Sequence, residues 1–186
     1  LAYRDGTMVD YYDKRLLPTY DVFDEHRYFV PGDRAVVIDV PTSGGTRRVG
    51  LSICEDLWKG EDAGFASRYL HDADPVAALV EAGAETIISP SASPFVLGKG
   101  RRHRDILIAH ATRHSVNVLA TNQVGGNDDL VCDGHAAACG AGGRPLGFGP
   151  GFLLPGGPGV LPPLGPGGAQ LPIPIPPDPT LKWRLG

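Results

Sequence analysis

Residues 50–58 read Gly-Leu-Ser-Ile-Cys-Glu-Asp-Leu-Trp, so an apolar strand pattern stops at a thiol that two acids follow. The residue that ends a buried strand faces the crevice in which open α/β sheets bind ligands. Thiolate chemistry needs a partly exposed cysteine of this kind. Cys54 is therefore a candidate nucleophile, although a single cysteine is more often a small buried hydrophobe.

A second stretch, residues 14–29, strengthens the catalytic interpretation. Lys14 closes a predicted strand, and a dense group of aromatic and acidic residues follows it. A lysine beside a cysteine lowers the pKa of the thiol and can hold the oxyanion of a tetrahedral intermediate. The spacing of Lys14 and Cys54 is compatible with such a pair but does not by itself bring them together.

The chain alternates predicted strands with predicted helices. The strands lie at 7–13, 35–40, 49–53, 86–89 and 116–124, and Asp5-Gly6 reads as a hairpin turn. Asp74 and Pro75 supply the N-cap and first residue of one helix, which Gly83 ends, and residues 101–114 form another. This alternation indicates an α/β layered domain.

The order of Lys14 and Cys54, with Cys54 inside Cys-Glu-Asp-x-Trp, resembles the carbon–nitrogen hydrolase (nitrilase) superfamily, whose catalytic set is Glu, Lys and Cys. Three blocks, at residues 14–29, 91–99 and 122–134, further resemble the glutaminase domains of glutamine-dependent NAD synthetases, over about residues 7–145. Generic nitrilases are similar at the lysine and the cysteine but not across residues 20–29. The resemblance implies an incomplete nitrilase-like αββα sandwich.

The resemblance also implies a role for each matching residue. Cys54 would attack the side-chain amide of glutamine, and Lys14 would stabilise the oxyanion and help to move protons. Tyr20, Ser93 and Lys99 match the positions that bind the α-amino and carboxylate groups of glutamine. Without the motif, these three would read as a surface tyrosine, a loop serine and a solvated lysine.

Two acids near these residues leave alternatives open. Glu55 would either touch the substrate or satisfy nearby backbone donors. Glu25 would either orient Lys14 or pair with Arg27.

The general base of the family lies upstream of the lysine, where residues 1–13 offer only three acids, Asp5, Asp10 and Asp13. Loss of such a base costs at least about 10²-fold in rate. The alternatives to glutamine hydrolysis are therefore a catalytically inactive fragment and another nitrilase-type amidase.

Composition limits the partners and the compartment. The 186 residues are 42% hydrophobic and carry 17 basic against 21 acidic residues, a net charge of −4, which predicts neither a nucleic-acid nor a membrane partner. Three cysteines without metal-ligand spacing predict a reducing, cytoplasmic setting. No metal site is predicted, because His110 and His114, one helical turn apart, lack a third ligand.

The predicted domain covers residues 1–144, and residues 145–186 form a Pro/Gly-rich linker or disordered tail that holds twelve of the 18 prolines. Because the chain begins at Leu1, we expect it to be truncated, and the resemblance implies truncation at both ends. It further implies that this domain needs no cofactor, that it self-associates, and that ATP and magnesium serve a synthetase domain which is absent here.

Overall fold

A computed structural model describes residues 1–59, 69, 71–97, 99–127 and 130–149 of the chain. Its strands are β1 Ala2–Arg4, β2 Thr7–Asp10, β3 Val36–Thr42, β4 Gly45–Leu51, β5 Thr86–Ser91, β6 Asn117–Asn122, β7 Val124–Asn127, β8 Leu130–Asp133, β9 Ala137–Cys139 and β10 Pro145–Phe148. The two α-helices of these residues are α1 Pro75–Glu81 and α2 Lys99–His114. Two 3₁₀ turns, Glu25–Arg27 and Cys54–Leu57, complete the regular structure of this part of the chain.

Six strands form one mixed sheet in the order β10-β9-β6-β5-β4-β3. The central strands β4, β5 and β6 run parallel, and β3, β9 and β10 join them in antiparallel pairs. The hairpins β1-β2 and β7-β8 are separate two-stranded sheets. The parallel strands place the carboxyl ends of β4 and β5 side by side, which is where ligands bind in such sheets.

Both helices cover the same face of the six-stranded sheet. Ile87 and Val118 are paired in register on this face and are fully buried, together with Leu79 from α1 and Leu107 from α2. Burial of each such side chain stabilises the fold by about 1.5–3 kcal/mol. The predicted α/β class is therefore confirmed, with one core between the helices and the sheet.

The opposite face of the sheet is apolar but only partly covered. Leu51, Ile88 and Leu119 are neighbours in register on that face, and Ile88 and Leu119 are 36% and 39% exposed. The described residues thus supply one helical layer and one large sheet, which are two of the four layers in the predicted sandwich.

The start and the end of α1 follow the sequence signals. The Asp74 carboxylate accepts a hydrogen bond from the Ala77 amide at 3.0 Å, and Pro75 is the first helical residue. Gly83 adopts a left-handed φ of +87° just after the helix, a conformation that glycine takes at little cost. This helix boundary is confirmed, whereas α2 begins two residues earlier than predicted.

Two predicted strands have different bounds in the structure. The strand expected at 7–13 ends at Asp10, so Lys14 lies in an irregular segment and not at a strand end. The strand expected at 116–124 stops at Asn122, and β7 then pairs with β8 in a separate hairpin. Just after β2 the Tyr11 amide donates to the Asp10 side chain, and at the end of β6 the Asn122 side chain bonds the Ser93 backbone.

The region beyond residue 144 is described only in part. Pro145–Phe148 forms β10, the outermost strand next to β9, beyond the predicted domain boundary. The prediction of a linker or tail otherwise falls on residues 150–186, which lie outside the described residues.

Candidate active site

Cys54 begins the 3₁₀ turn that follows β4, three residues beyond the end of the strand. Its φ of +47° is unusual for a residue with a side chain, and such strained conformations cluster at functional sites. The turn is closed by hydrogen bonds from the Asp56 amide to the Ile53 carbonyl at 3.1 Å and from the Trp58 amide to the Glu55 carbonyl at 2.8 Å. The turn holds the thiol beside the carboxyl end of β5.

The last residue of β5 contacts the thiol directly. The hydroxyl of Ser91 donates a hydrogen bond to the Cys54 sulfur over 3.1 Å. Burial raises the pKa of the Cys54 thiol, while the Ser91 hydroxyl, the charge of Lys14 and the Ala92 amide act in the opposite direction. Ser91 is not among the predicted site residues, because the run Ser-Ala-Ser at 91–93 gives no signal that separates its two serines.

Lys14 lies in this site paired with Glu25. The Lys14 ammonium and the Glu25 carboxylate form an ion pair, and their side chains are 15% and 24% exposed. Arg27 instead lies 4.0 Å from Asp24 on the exposed surface. Of the two alternatives for Glu25, the structure therefore has the contact with Lys14 and not the pairing with Arg27.

Asp56 joins the segment that carries the candidate lysine to the turn that carries the candidate nucleophile. Its carboxylate is fully buried and accepts hydrogen bonds from the Tyr12 hydroxyl at 2.7 Å and from the amides of Arg15, Leu16 and Ile53 at 2.9–3.0 Å. Burial raises the pKa of this carboxyl, and the four hydrogen bonds oppose that effect. Asp56 is not among the predicted site residues, although it is an acid directly before the apolar pair at 57–58.

Glu55 is buried among tyrosine hydroxyls. The Tyr20 hydroxyl lies 2.9 Å and 3.0 Å from the two carboxylate oxygens, and the Tyr69 hydroxyl donates to one of them at 2.6 Å. Its hydrogen bonds to these two hydroxyls differ from the backbone contacts that one alternative expected. Tyr69 was not found from the sequence, because it belongs to none of the three matching blocks.

Ser93 lies in the loop between β5 and α2, and Lys99 is the first residue of α2. The side chain of Asn122 holds this loop, since its oxygen accepts from the Ser93 amide at 2.7 Å and its nitrogen donates to the Ser93 carbonyl at 3.1 Å. The Lys99 ammonium donates to the Pro94 carbonyl at 3.3 Å and lies 5.3 Å from the centre of the Trp58 ring. Burial lowers the pKa of Lys99.

One cavity of about 330 Å³ brings the predicted residues together. Its lining includes all seven candidate site residues, namely Lys14, Tyr20, Glu25, Cys54, Glu55, Ser93 and Lys99. A larger cavity of about 450 Å³ beside the start of α2 is lined by none of them. The chemistry therefore belongs to the smaller cavity, where a thiol, an ammonium group and carboxylates meet.

Within the described ranges, no group of three or more His, Cys, Asp or Glu side chains could hold a metal ion. His110 is instead a buried core residue whose ring nitrogen lies 2.8 Å from the Leu57 carbonyl and whose ring stacks on His114. In the same part of the chain, neither helix is long and apolar enough to cross a lipid bilayer.

The chain belongs to the carbon-nitrogen hydrolase family, which it matches over residues 2–151. Curated relatives are named glutamine-dependent NAD(+) synthetase. The protein from Synechocystis is 38% identical over 146 residues, which are 78% of this chain and 25% of the relative, and the one from Xanthomonas campestris is 44% identical over 70% of this chain and 21% of the relative. The chain thus spans about a quarter of the length of these proteins, and the predicted resemblance is confirmed.

Solved structures agree with the family assignment. A glutamine-dependent NAD+ synthetase from Acinetobacter baumannii, bound to ADP, matches with a TM-score of 0.67 and 30% identity over 81% of this chain and 26% of that one. An amidase from Nesterenkonia sp. matches with a TM-score of 0.56 and 26% identity over 75% of this chain and 45% of that one; this structure carries the acetamide moiety of fluoroacetamide on its active-site cysteine. The nitrilase-like fold is confirmed.

Proposed function

We propose that this chain is the glutamine-hydrolysing part of a glutamine-dependent NAD synthetase, with Cys54 as nucleophile and Lys14 as its partner. The observation that carries the proposal is the single cavity in which all seven residues singled out from the sequence meet. Curated relatives that match 70–78% of this chain are synthetases of this name.

The reaction would run through a thioester. The Cys54 sulfur attacks the amide carbon of the glutamine side chain, the carbon–nitrogen bond breaks, and ammonia leaves after gaining a proton. Water then attacks the thioester, which releases glutamate and restores the thiol. Lys14 would donate a hydrogen bond to the oxyanion of each tetrahedral intermediate, while its ion pair with Glu25 holds the ammonium group in place.

The cavity also has groups that suit the charged end of an amino acid. Lys99 would bind the α-carboxylate, and the buried Glu55 carboxylate, with the Tyr20 hydroxyl on it, would face the α-ammonium group. The backbone of Ser93, fixed by Asn122, adds polar groups at the same wall. An amide without an α-ammonium and an α-carboxylate would bring no opposite charge to Glu55 and Lys99, which is a basis for selecting glutamine.

The reaction also needs a general base that removes a proton from the thiol and from the attacking water. Two carboxylates line the cavity within the described ranges, Glu25 and Glu55, and both are engaged, by Lys14 and by tyrosine hydroxyls. The resemblance assigns the base to a glutamate upstream of Lys14. Without such a base, deprotonation of the thiol and activation of water would both be slow, so the alternative proposal is a catalytically inactive fragment.

The wider setting is also part of the proposal. The ammonia would serve an ATP- and magnesium-dependent synthetase domain that amidates deamido-NAD, whereas this domain would act without a cofactor. The protein would work in the cytoplasm as a homo-oligomer, with glutamine as the substrate of this site.

The experiment compares the intact chain with Cys54→Ala. A glutamine analogue with a chloroketone in place of the amide is added, and intact mass reports its attachment. Glutamate release from glutamine and ammonia release from acetamide are measured in parallel. We expect the analogue to label the parent once and to leave Cys54→Ala unlabelled, and we expect glutamine to slow the labelling by competing for the site.

The outcomes separate the alternatives. Labelling without glutamate release supports the inactive fragment. Faster hydrolysis of acetamide than of glutamine indicates another nitrilase-type amidase. Absence of labelling in a folded chain, together with no hydrolysis, refutes the proposed function.

A further inference from the structure

We infer that Ser91 is a further catalytic residue of this site, because its hydroxyl donates a hydrogen bond to the reacting sulfur of Cys54 and stabilises the thiolate. The inference deepens the proposed function, since the catalytic assignment depends on the sulfur acting as nucleophile. It adds a neutral donor to a site otherwise described by its charged residues.

The fold fixes the backbone that carries this hydroxyl. Ser91 ends β5, a central strand, and its backbone is paired in register with Asn122 on β6. Its carbonyl also accepts a hydrogen bond from the Gln123 amide at 2.9 Å. The hydroxyl thus comes from the rigid sheet, and the sulfur comes from the strained turn that begins at Cys54.

The contact has the geometry of a hydrogen bond to sulfur. The Ser91 oxygen and the Cys54 sulfur are 3.1 Å apart, and the hydroxyl donates its hydrogen bond to this sulfur. The next residue acts in the same direction, because the backbone of Ala92 also lowers the pKa of the thiol. The Ser91 hydroxyl is thus a neutral donor that matches a negative charge on the sulfur.

Neutral donors matter here because the nearby cation is partly compensated. Lys14 is in contact with Glu25, whose negative charge weakens the field of the ammonium group at the sulfur. The adjacent Glu55 raises the pKa of the thiol, as burial does to a larger extent. The Ser91 hydroxyl acts through a direct hydrogen bond and carries no net charge, so its effect on the thiolate does not depend on the charge balance between Lys14 and Glu25.

The test measures the thiol without substrate. Iodoacetamide is applied at a series of pH values, and mass spectrometry of the peptide that contains Cys54 gives its rate apart from the other two cysteines. The informative pair is Ser91→Thr and Ser91→Val, which have nearly the same shape on a β-strand but differ in the hydroxyl. Ser89→Ala, two residues earlier on β5 and buried, is the control for packing.

We expect the midpoint pH of alkylation in Ser91→Val to rise by about one unit, which is a tenfold smaller thiolate fraction below the midpoint. The rate at such a pH falls by about threefold, because a more basic thiolate is also more nucleophilic. Ser91→Thr and Ser89→Ala are expected to keep the parent midpoint. A rise that is equal in the threonine and valine variants, or no rise in either, overturns the inference.

Circular dichroism and urea unfolding show whether each variant is folded. If Ser91→Val does not fold, Ser91→Ala against Ser91→Thr answers the same question with a smaller side chain. The two proposals fail separately, because the midpoint shift needs no glutamine. A midpoint shift in Ser91→Val, together with no labelling of the parent by the glutamine analogue, supports the hydrogen bond and argues against glutamine as the substrate. Labelling of the parent without a midpoint shift in Ser91→Val supports glutamine as the substrate and refutes the role of Ser91.

Discussion

Asp56→Asn is the substitution for which the structure gives the sharpest expectation. Four N–H and O–H donors face the two oxygens of this fully buried carboxylate, an arrangement that the ionised form satisfies completely. Asparagine has almost the same shape but only one acceptor oxygen, and its nitrogen carries two hydrogens. At least one donor must therefore face another donor.

The magnitude follows from the better of the two amide orientations. With its oxygen towards Arg15 and Leu16, the amide nitrogen faces the Tyr12 hydroxyl and the Ile53 amide. The hydroxyl can rotate to accept, but the Ile53 amide cannot, and an unsatisfied buried donor costs about 1–3 kcal/mol. We therefore expect the free energy of unfolding to fall by about 1–3 kcal/mol in Asp56→Asn and by more in Asp56→Ala.

Urea unfolding of the 186-residue chain, followed by circular dichroism at neutral pH, measures this difference. Tyr12→Phe is the matched control, since it removes one donor and leaves the backbone bonds intact, and it should cost about 1 kcal/mol. A change below about 0.5 kcal/mol in Asp56→Asn would show that this carboxylate does not hold the two segments together, and would refute the reasoning.

Three further outcomes are expected. Asn122→Leu should weaken labelling by the glutamine analogue about tenfold while Cys54 keeps its alkylation midpoint, because only the Ser93 loop loses its support; an unchanged labelling rate would argue against that support. Burial lowers the pKa of His103 to about 4, from 6.5 in the unfolded chain, so its contribution to stability is present above pH 6.5 and is lost as the pH falls towards 4. In His103→Phe, acid unfolding measured by circular dichroism should therefore move to lower pH, whereas an identical acid transition would contradict this. Gly50→Ala should cost about 1–3 kcal/mol in urea unfolding, because a methyl group there would lie 3.0 Å from the Ala84 methyl carbon; a neutral result would mean that α1 shifts freely.

The sequence predicted those parts of the site that depend on residue type within a local motif. Cys54 lies in the short motif Cys-Glu-Asp-x-Trp, and Lys14 and Ser93 lie in the blocks 14–29 and 91–99. The structure brings these three residues to one cavity. The capping pair Asp74 and Pro75 was predictable for a similar reason, because a helix start depends on neighbouring residues.

The supporting contacts could not be predicted, because they join distant parts of the chain through side chains. Asp56 reaches back 40–44 residues to backbone amides and a hydroxyl, and no periodic pattern announces such bonds. The strand before Lys14 was predicted too long because, just after Asp10, the Tyr11 amide donates to the Asp10 side chain, a bond that no alternating pattern reveals. The side chain of Asn122, at the end of β6, likewise bonds the backbone of Ser93, 29 residues away.

The carboxylate of Asp56 also has a consequence for the order of events during folding. Its bonds to Tyr12 and Leu16 close a loop of about forty residues. The chain loses conformational entropy when this loop closes, before the contacts can stabilise it, so these bonds form slowly. Hairpins and helices gain their bonds locally and form earlier, so the lysine and the thiol become neighbours only as the whole core condenses. During refolding, the alkylation rate of Cys54 should therefore reach its native value in the last stage. We expect this change to coincide with the burial of the core and to follow the first gain of helix.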